Sequence, residues 1–386
     1  MRKHLREVTG AILLGILGWV AVSAGEASGQ TAPRGPEPST NPPQDIPLPV
    51  SRDEADEFAW KLFVAMNWPE MPGQRGMPDE SKRIGDPGIT VWRSFKTSEE
   101  VFRSDGGDPG PWNVGESGSP VRLDQEAKAT RRELELSEIK QVIGGPLTDQ
   151  HGNLTYYEKA ANVISYDFIR EKKLYNIEGQ SRNGALVFPY GAIEVKAAWR
   201  IMTDDDDQTR YYTMPAVVRT NGADQEVTVG LVGLHIITKT PNAPEWIWST
   251  FEQVDNVPRA ASEKGAVAWS YYKPGSTTPP NKETKPGTPT QVERLKRDLP
   301  DAVNARWEGA LRGTVWQYYQ LIGVQYPLRN PQPNMLANVV METYIQSQSS
   351  CIDCHSTARS VTRENADFSF LLLDAVAAGG SNPGSK

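Results

Sequence analysis

Both cysteines of the chain stand in Ser350-Cys351-Ile352-Asp353-Cys354-His355, a C-x-x-C-H run. Two thiols three residues apart on one helical turn can add across the two vinyl groups of a haem edge, and the residue that follows brings an imidazole beneath the metal. The spacing therefore predicts one covalent haem c, with Cys351 and Cys354 as thioethers and His355 as the proximal iron ligand. Random placement of two Cys and four His in this length produces the run roughly once in twenty thousand chains, so coincidence is a poor account. A zinc site needs a fourth donor and normally spreads its pairs farther apart. A Cys351–Cys354 disulfide in a haem-free exported binding domain is the remaining reading, although so small a loop stabilises little.

What stands on the other side of the iron decides between carrier and catalyst. No Met or His follows His355, because the methionines are at 1, 66, 71, 77, 202, 214, 335 and 341. A distal protein ligand must come from upstream. His235 is the candidate distal ligand or pocket residue: it lies in an apolar strand pattern in which Val227, Val229 and Leu231 are expected to share its face by period two. A buried imidazole needs a partner, and iron or a backbone carbonyl would serve. His151, in the turn-like Gln150-His151-Gly152-Asn153, is expected at the surface, Met335 and Met341 in the core, and His4 in a removed leader. An open sixth position is the other outcome, suited to a peroxide, a hydroxylamine-like molecule or a gas. Tyr211, Tyr212, Trp246, Trp248, Trp269 and Tyr271 could wall a haem cavity, with sheet packing the ordinary role of such residues. Asp204–Asp207 reads as a solvated turn, lacking the Gly and terminal Glu of a calcium loop. Glu194 and Lys196 share a strand face, where ion pairing is expected.

These residues need a scaffold. The chain has 386 residues, 41 Lys and Arg against 48 Asp and Glu, and a formal charge of -7 without any basic run, which excludes a nucleic-acid backbone as partner. Arg2, Lys3 and Arg6 precede an uncharged stretch from Val8 to Gly25 that contains Val22-Ser23-Ala24, the pattern of an export signal cleaved after Ala24, or after Gly29. Residues 1–24 are read as signal peptide and the protein as periplasmic, with a membrane anchor only if that segment is retained. Its removal makes the chain two charges more negative. Residues 25–50 are Pro-rich and read as a disordered linker, and 51–386 as a single domain.

The domain is expected to be α+β, a mostly antiparallel sheet with flanking helices and a haem segment at 334–378. Strands are predicted at Gly191–Met202, Tyr211–Arg219, Glu226–Thr238, Glu245–Gln253 and Ala266–Tyr272 from their β-branched and aromatic content and short polar connections. Helices are predicted from Ser51 to Pro69, with Phe58, Leu62, Ala65 and Met66 on one face, and at Leu154–Lys173, Asp301–Gln320, Asn334–Gln348 and Glu364–Ala378. Asp105–Pro120 and Lys273–Thr290 read as loops on Gly and Pro density.

The runs GAIEVKAAWR (191–200), GLHIITKTP (233–241), WIWSTFEQVDN (246–256), SCIDCHSTA (350–358) and DFSFLL (367–372) resemble a group of secreted bacterial mono-haem c-type cytochrome-family proteins. The resemblance spans most of the chain. It implies export and a haem, and names no substrate, since that group has no assigned reaction. A weaker likeness is to the hydroxylamine-oxidising cytochromes, in which a carboxy-terminal haem motif follows a largely antiparallel sheet and a lysine is crosslinked to the macrocycle; Lys196 would be that lysine on its strand position. Two functional readings stand: an electron-transfer protein working with a redox partner, and a five-coordinate haem oxidoreductase or sensor acting on a small molecule.

Overall fold

The computed structural model describes residues 35–113, 121–123, 145–220, 223–259, 263, 268–295, 299–326 and 335–380. The expected leader (1–24) lies outside them, as does the first part of the expected linker. From Gly35 to Val50 the chain forms neither helix nor strand. Ile46 in that stretch is nonetheless fully buried, and Asn242 bonds its carbonyl and the Asp45 side chain. Among the described residues no helix is long and apolar enough to cross a membrane.

The architecture is α+β, as the composition of the segments implies. Among the described residues eight strands form one sheet: β1 (Lys96–Thr97), β2 (Val121–Leu123), β3 (Thr155–Ala161), β4 (Ile193–Ile201), β5 (Thr213–Thr220), β6 (Ala223–Thr240), β7 (Ala243–Gln253) and β8 (Tyr319–Gln325). Pairing is antiparallel except that β2 lies parallel to β5. The long β6 is the spine. It pairs with β4 on one edge, and on the other with β5 along its first half and β7 along its second.

Helix α1 (Arg52–Met66) begins where the sequence predicts. Ser51 Oγ accepts from the Glu54 N–H, and the Glu54 carboxylate accepts from the Ser51 N–H in return, a reciprocal cap that satisfies two donors of the first turn. The helix buries more than the one expected face: Trp60, Phe63 and Val64 join Phe58, Leu62, Ala65 and Met66. Phe63 stacks on Phe251 of β7 at 4.3 Å and Trp60 on Trp307 of α5 (Asp301–Ala310) at 5.9 Å. This is the main core, and it covers one face of the sheet.

The opposite face carries the candidate site and is covered by irregular chain. Here α2 (Ser98–Val101), α3 (Val163–Glu171) and the carboxy-terminal tail form one apolar cluster with Trp248 and Ile237, while Val339, Val340 and Met341 form another with Tyr157, Ala198 and Tyr271; the short α4 (Ile177–Gln180) lies between Tyr175 and Leu186 of the first cluster in the chain.

Five expected elements differ. Leu154–Lys173 is not one helix but β3 followed by α3, because Asn162 caps the Ser165 N–H and restarts the chain as helix. The helix expected over Asp301–Gln320 ends at Ala310, with Gly313 at φ 86°, and its last residues enter β8. Met335–Gln348 runs as successive turns, its polar groups committed to the sheet: Asn338 Nδ2 donates to Thr250 Oγ1 and the Val339 N–H to Glu252 Oε1. Glu364–Ala378 is turns plus a single 3-10 turn at Leu371–Asp374. The part of Ala266–Tyr272 that is described is not strand.

The face expected for His235 within β6 is reversed by a bulge. Ala198 pairs with Gly233 but Trp199 pairs with Leu231, so Val232 is an extra residue in β6. Such a bulge reverses the facing of everything beyond it. Val227, Val229 and Leu231 therefore point into the α1 side together with Leu234 and Ile236, and His235 faces the other way, toward the tail.

Candidate haem site on the tail-covered face of the sheet

Strict register assembles the site. Lys159 of β3 lies opposite Lys196 of β4, Lys196 opposite His235 of β6, and His235 opposite Thr250 of β7. Directly paired residues share a face, so these four form one row across the sheet. Lys159, Lys196 and His235 are half-buried positions inside strands whose neighbouring residues are buried. The cover over the sheet is thus thinner over these three positions than over Thr250, which is fully buried. The adjacent row, Glu194, Ile237, Trp248 and Gln325, receives the cysteine motif.

Cys351 and Cys354 lie on the single-turn helix α6 (Cys351–His355), both half-buried thiols without a disulfide. Ser350 caps α6 by accepting from the Asp353 N–H, and Gln325 of β8 accepts from the Ile352 N–H at 3.2 Å. The His355 ring sits between Trp248 and Phe370, with centroid separations of 4.2 and 4.8 Å. Its Nδ1 lies 2.7 Å from the Phe368 carbonyl oxygen. A carbonyl only accepts, so Nδ1 carries the proton and Nε2 the lone pair. Burial drives the His355 pKa down to about 4 against the opposing hydrogen bond to Phe368, with the Lys196 ammonium adding to the fall, and burial drives the Cys354 thiol up to about 11 with help from Glu342.

The Phe368 carbonyl is aimed by an unusual turn. Asp367 and Phe368 both have positive φ, 51° and 68°, a conformation costly for residues with side chains unless the surroundings impose it. They do. The Asp367 carboxylate accepts from Lys239 Nζ at 2.5 Å and from the Phe188 N–H at 2.7 Å, and the Asp367 carbonyl accepts from Trp246 Nε1 at 2.9 Å. One residue on, Ser369 Oγ donates to Glu194, and Asp374 pairs with Lys159 Nζ at 2.6 Å.

These side chains suit a covalently held haem on three observations. The thiols lie on one turn. The following imidazole gives its Nδ1–H to a backbone carbonyl, the outer-shell arrangement that sets the tautomer and orientation of a ligating histidine. On the row beside it, His235 Nε2 is buried without a hydrogen-bond partner. Among the described residues no group of three or more His, Cys, Asp or Glu is placed to hold a bare ion.

Sequence reasoning named Cys351, Cys354, His355, His235 and Lys196, and the fold brings them to one face. It missed Glu342, whose Oε2 lies 3.5 Å from His235 Nε2, and the Phe368 carbonyl; neither carries a motif. Of the six aromatic positions, Trp248 meets His355. Trp246 braces the tail turn, Tyr212 stacks on Trp316 at 5.0 Å, and Tyr211, Trp269 and Tyr271 pack in the cluster around Val339. His151 lies 4.0 Å from Asp206, Met341 is buried, and Met335 is exposed. Asp206 does not sit in a purely solvated turn, since it accepts from Arg200 at 2.8 Å.

No family model, no curated protein and no solved structure matches this chain.

Proposed function

We propose that the chain is an exported mono-haem c-type cytochrome-like protein that binds one haem through Cys351 and Cys354 with His355 as proximal ligand, and that it takes part in electron transfer. The observation that carries the reading is the state of His355: a neutral imidazole whose Nδ1–H is committed to Phe368 and whose Nε2 holds the lone pair. A bound haem supplies an iron that cycles between two oxidation states, or binds a small molecule at its open face. The chain's own part is to fix the proximal ring, to exclude bulk water with Trp248 and Phe370, and to set the charges beside the row.

The second reading, a haem oxidoreductase or sensor for a peroxide, a hydroxylamine-like molecule or a gas, is favoured by one feature. The row carries Lys196, His235 and nearby Glu342, polar groups that an electron carrier does not need. Replacement of Cys351 and Cys354 by Ala tests the common core of both readings. In protein made with intact haem-maturation machinery, the parent should keep its haem stain on a denaturing gel and the double variant should lose it. A colourless parent, or an undiminished stain in the variant, refutes the assignment. A reduced spectrum with and without carbon monoxide separates carrier from open site.

A further inference from the structure

His235 is fixed at its Cα by pairing on both sides, with Lys196 on β4 and Thr250 on β7. Its Nε2 is buried, makes no hydrogen bond, and lies 3.5 Å from Glu342 Oε2. That carboxylate is itself held in place. Glu342 Oε2 accepts from the Asn338 N–H at 2.8 Å, the Glu342 N–H donates to the Asn338 carbonyl at 2.8 Å, and Asn338 Nδ2 donates to Thr250 Oγ1 and the Phe251 carbonyl, each at 2.9 Å. Gly233, two residues before His235, permits this approach: a Cβ there would come within 2.7 Å of Val340 and 3.2 Å of Asn338 Oδ1. The segment carrying Glu342 is thus laid directly on the strand carrying His235.

A lone pair on Nε2 would face a carboxylate oxygen and be repelled, whereas a proton there is attracted. The arrangement selects the Nε2–H tautomer and leaves Nδ1 as the basic atom of His235. The position is also reachable, since His235 and Lys196 are half-buried while the strand residues on either side of each are buried. A cation beside a base, both at a thinned part of the cover, suits a guest that arrives neutral, gives up a proton and remains as an anion.

We infer that His235, positioned by Glu342, is the proton-accepting group beside the candidate haem site, and that this site takes small weak acids of the type H–X whose anion binds a metal. The inference rests on the haem reading given above. With hydrogen cyanide as probe, the C–H bond breaks, its electron pair stays on cyanide, and the proton passes to His235 Nδ1. Lys196 offsets the anion's charge.

The test uses the full-length ferric holoprotein, first checked for covalent haem, and measures the rate of cyanide association in the parent, His235→Leu and Glu342→Gln. Loss of the base should slow association about a hundredfold, and loss of the positioning charge about tenfold. The C–O stretching frequency of the reduced carbon-monoxide adduct, which reads charge and hydrogen bonding beside the bound ligand, should shift in both variants. Should the leucine variant not fold, His235→Gln gives the same comparison. A variant rate equal to the parent's, or an unmoved C–O stretch, overturns the inference. Faster association in His235→Leu, with a low-spin parent spectrum turning high-spin, also overturns it by identifying His235 as an iron ligand. Absence of covalent haem from the parent defeats the underlying haem reading, and this inference with it.

Discussion

Glu194 offers a quantitative handle on the tail's grip. Its carboxylate is buried on β4 and accepts from Ser369 Oγ, one residue from the carbonyl that orients His355. Burial raises its pKa from 4.5 to about 7, aided by the negative Asp367 and opposed by the Ser369 hydrogen bond and Lys159. A carboxyl whose folded value exceeds its unfolded value adds no cost while protonated in both states, below the unfolded value of 4.5. Its cost grows as the pH climbs from 4.5 to 7 and is fully present above that. At about 1.36 kcal/mol per pH unit, the rise amounts to about 3 kcal/mol of stability forgone at pH 8. Glu194→Gln keeps an acceptor for Ser369 and removes the charge, while its amide N–H groups take back about 1 kcal/mol if they gain no acceptor. The variant should therefore be more stable than the parent by about 2 kcal/mol at pH 8 and no more stable at pH 4.5. Urea denaturation at the two pH values, read as the parent–variant difference, measures this. A difference that does not change with pH refutes the account of Glu194 as a buried, reluctant anion.

Two further substitutions probe the scaffold. Gly233→Ala drives a methyl into Val340 and Asn338 and should cost about 1–3 kcal/mol in thermal or urea unfolding; a neutral result would mean that the segment carrying Glu342 does not lie on β6. Arg200→Met strands Asp149, which is fully buried and 3.1 Å from Arg200 Nε. The loss should be about 3–5 kcal/mol at pH 8 and smaller near pH 5, because burial already raises the Asp149 pKa and a proton can replace the lost partner. A loss independent of pH would count against an uncompensated carboxylate as its cause.

The strands β4 to β7 were legible because β-branched and aromatic residues in runs bounded by polar turns have few alternatives, and α1 because Ser51, Glu54 and the apolar spacing agree. The failures have physical causes. Thr155–Ala161 contains Glu, Lys and two Ala, residues that favour helix locally, and became a strand because an edge of β4 was available to pair with it. Gly313 stood in view as a helix stop and was overridden by the apolar spacing on either side of it. In the site, the cysteine motif was local and readable. The bulge at Val232 was not, because one extra residue in a run of valines and leucines leaves no compositional mark. Glu342 and Phe368 reach their partners only through tertiary packing, and the Phe368 contact is made by a backbone atom that every residue type possesses.

The carbonyl that orients the His355 ring belongs to a residue thirteen positions downstream, and it is aimed only once Asp367 has met Lys239 and Trp246 on the sheet. A nascent chain that has just exposed its cysteine motif therefore presents an imidazole still free to rotate. Exposure of the thiols and locking of the ring are separate events in assembly. The second waits for nearly the whole polypeptide to be made, so a truncation before residue 367 would leave the thiols in the chain while removing the latch on the imidazole.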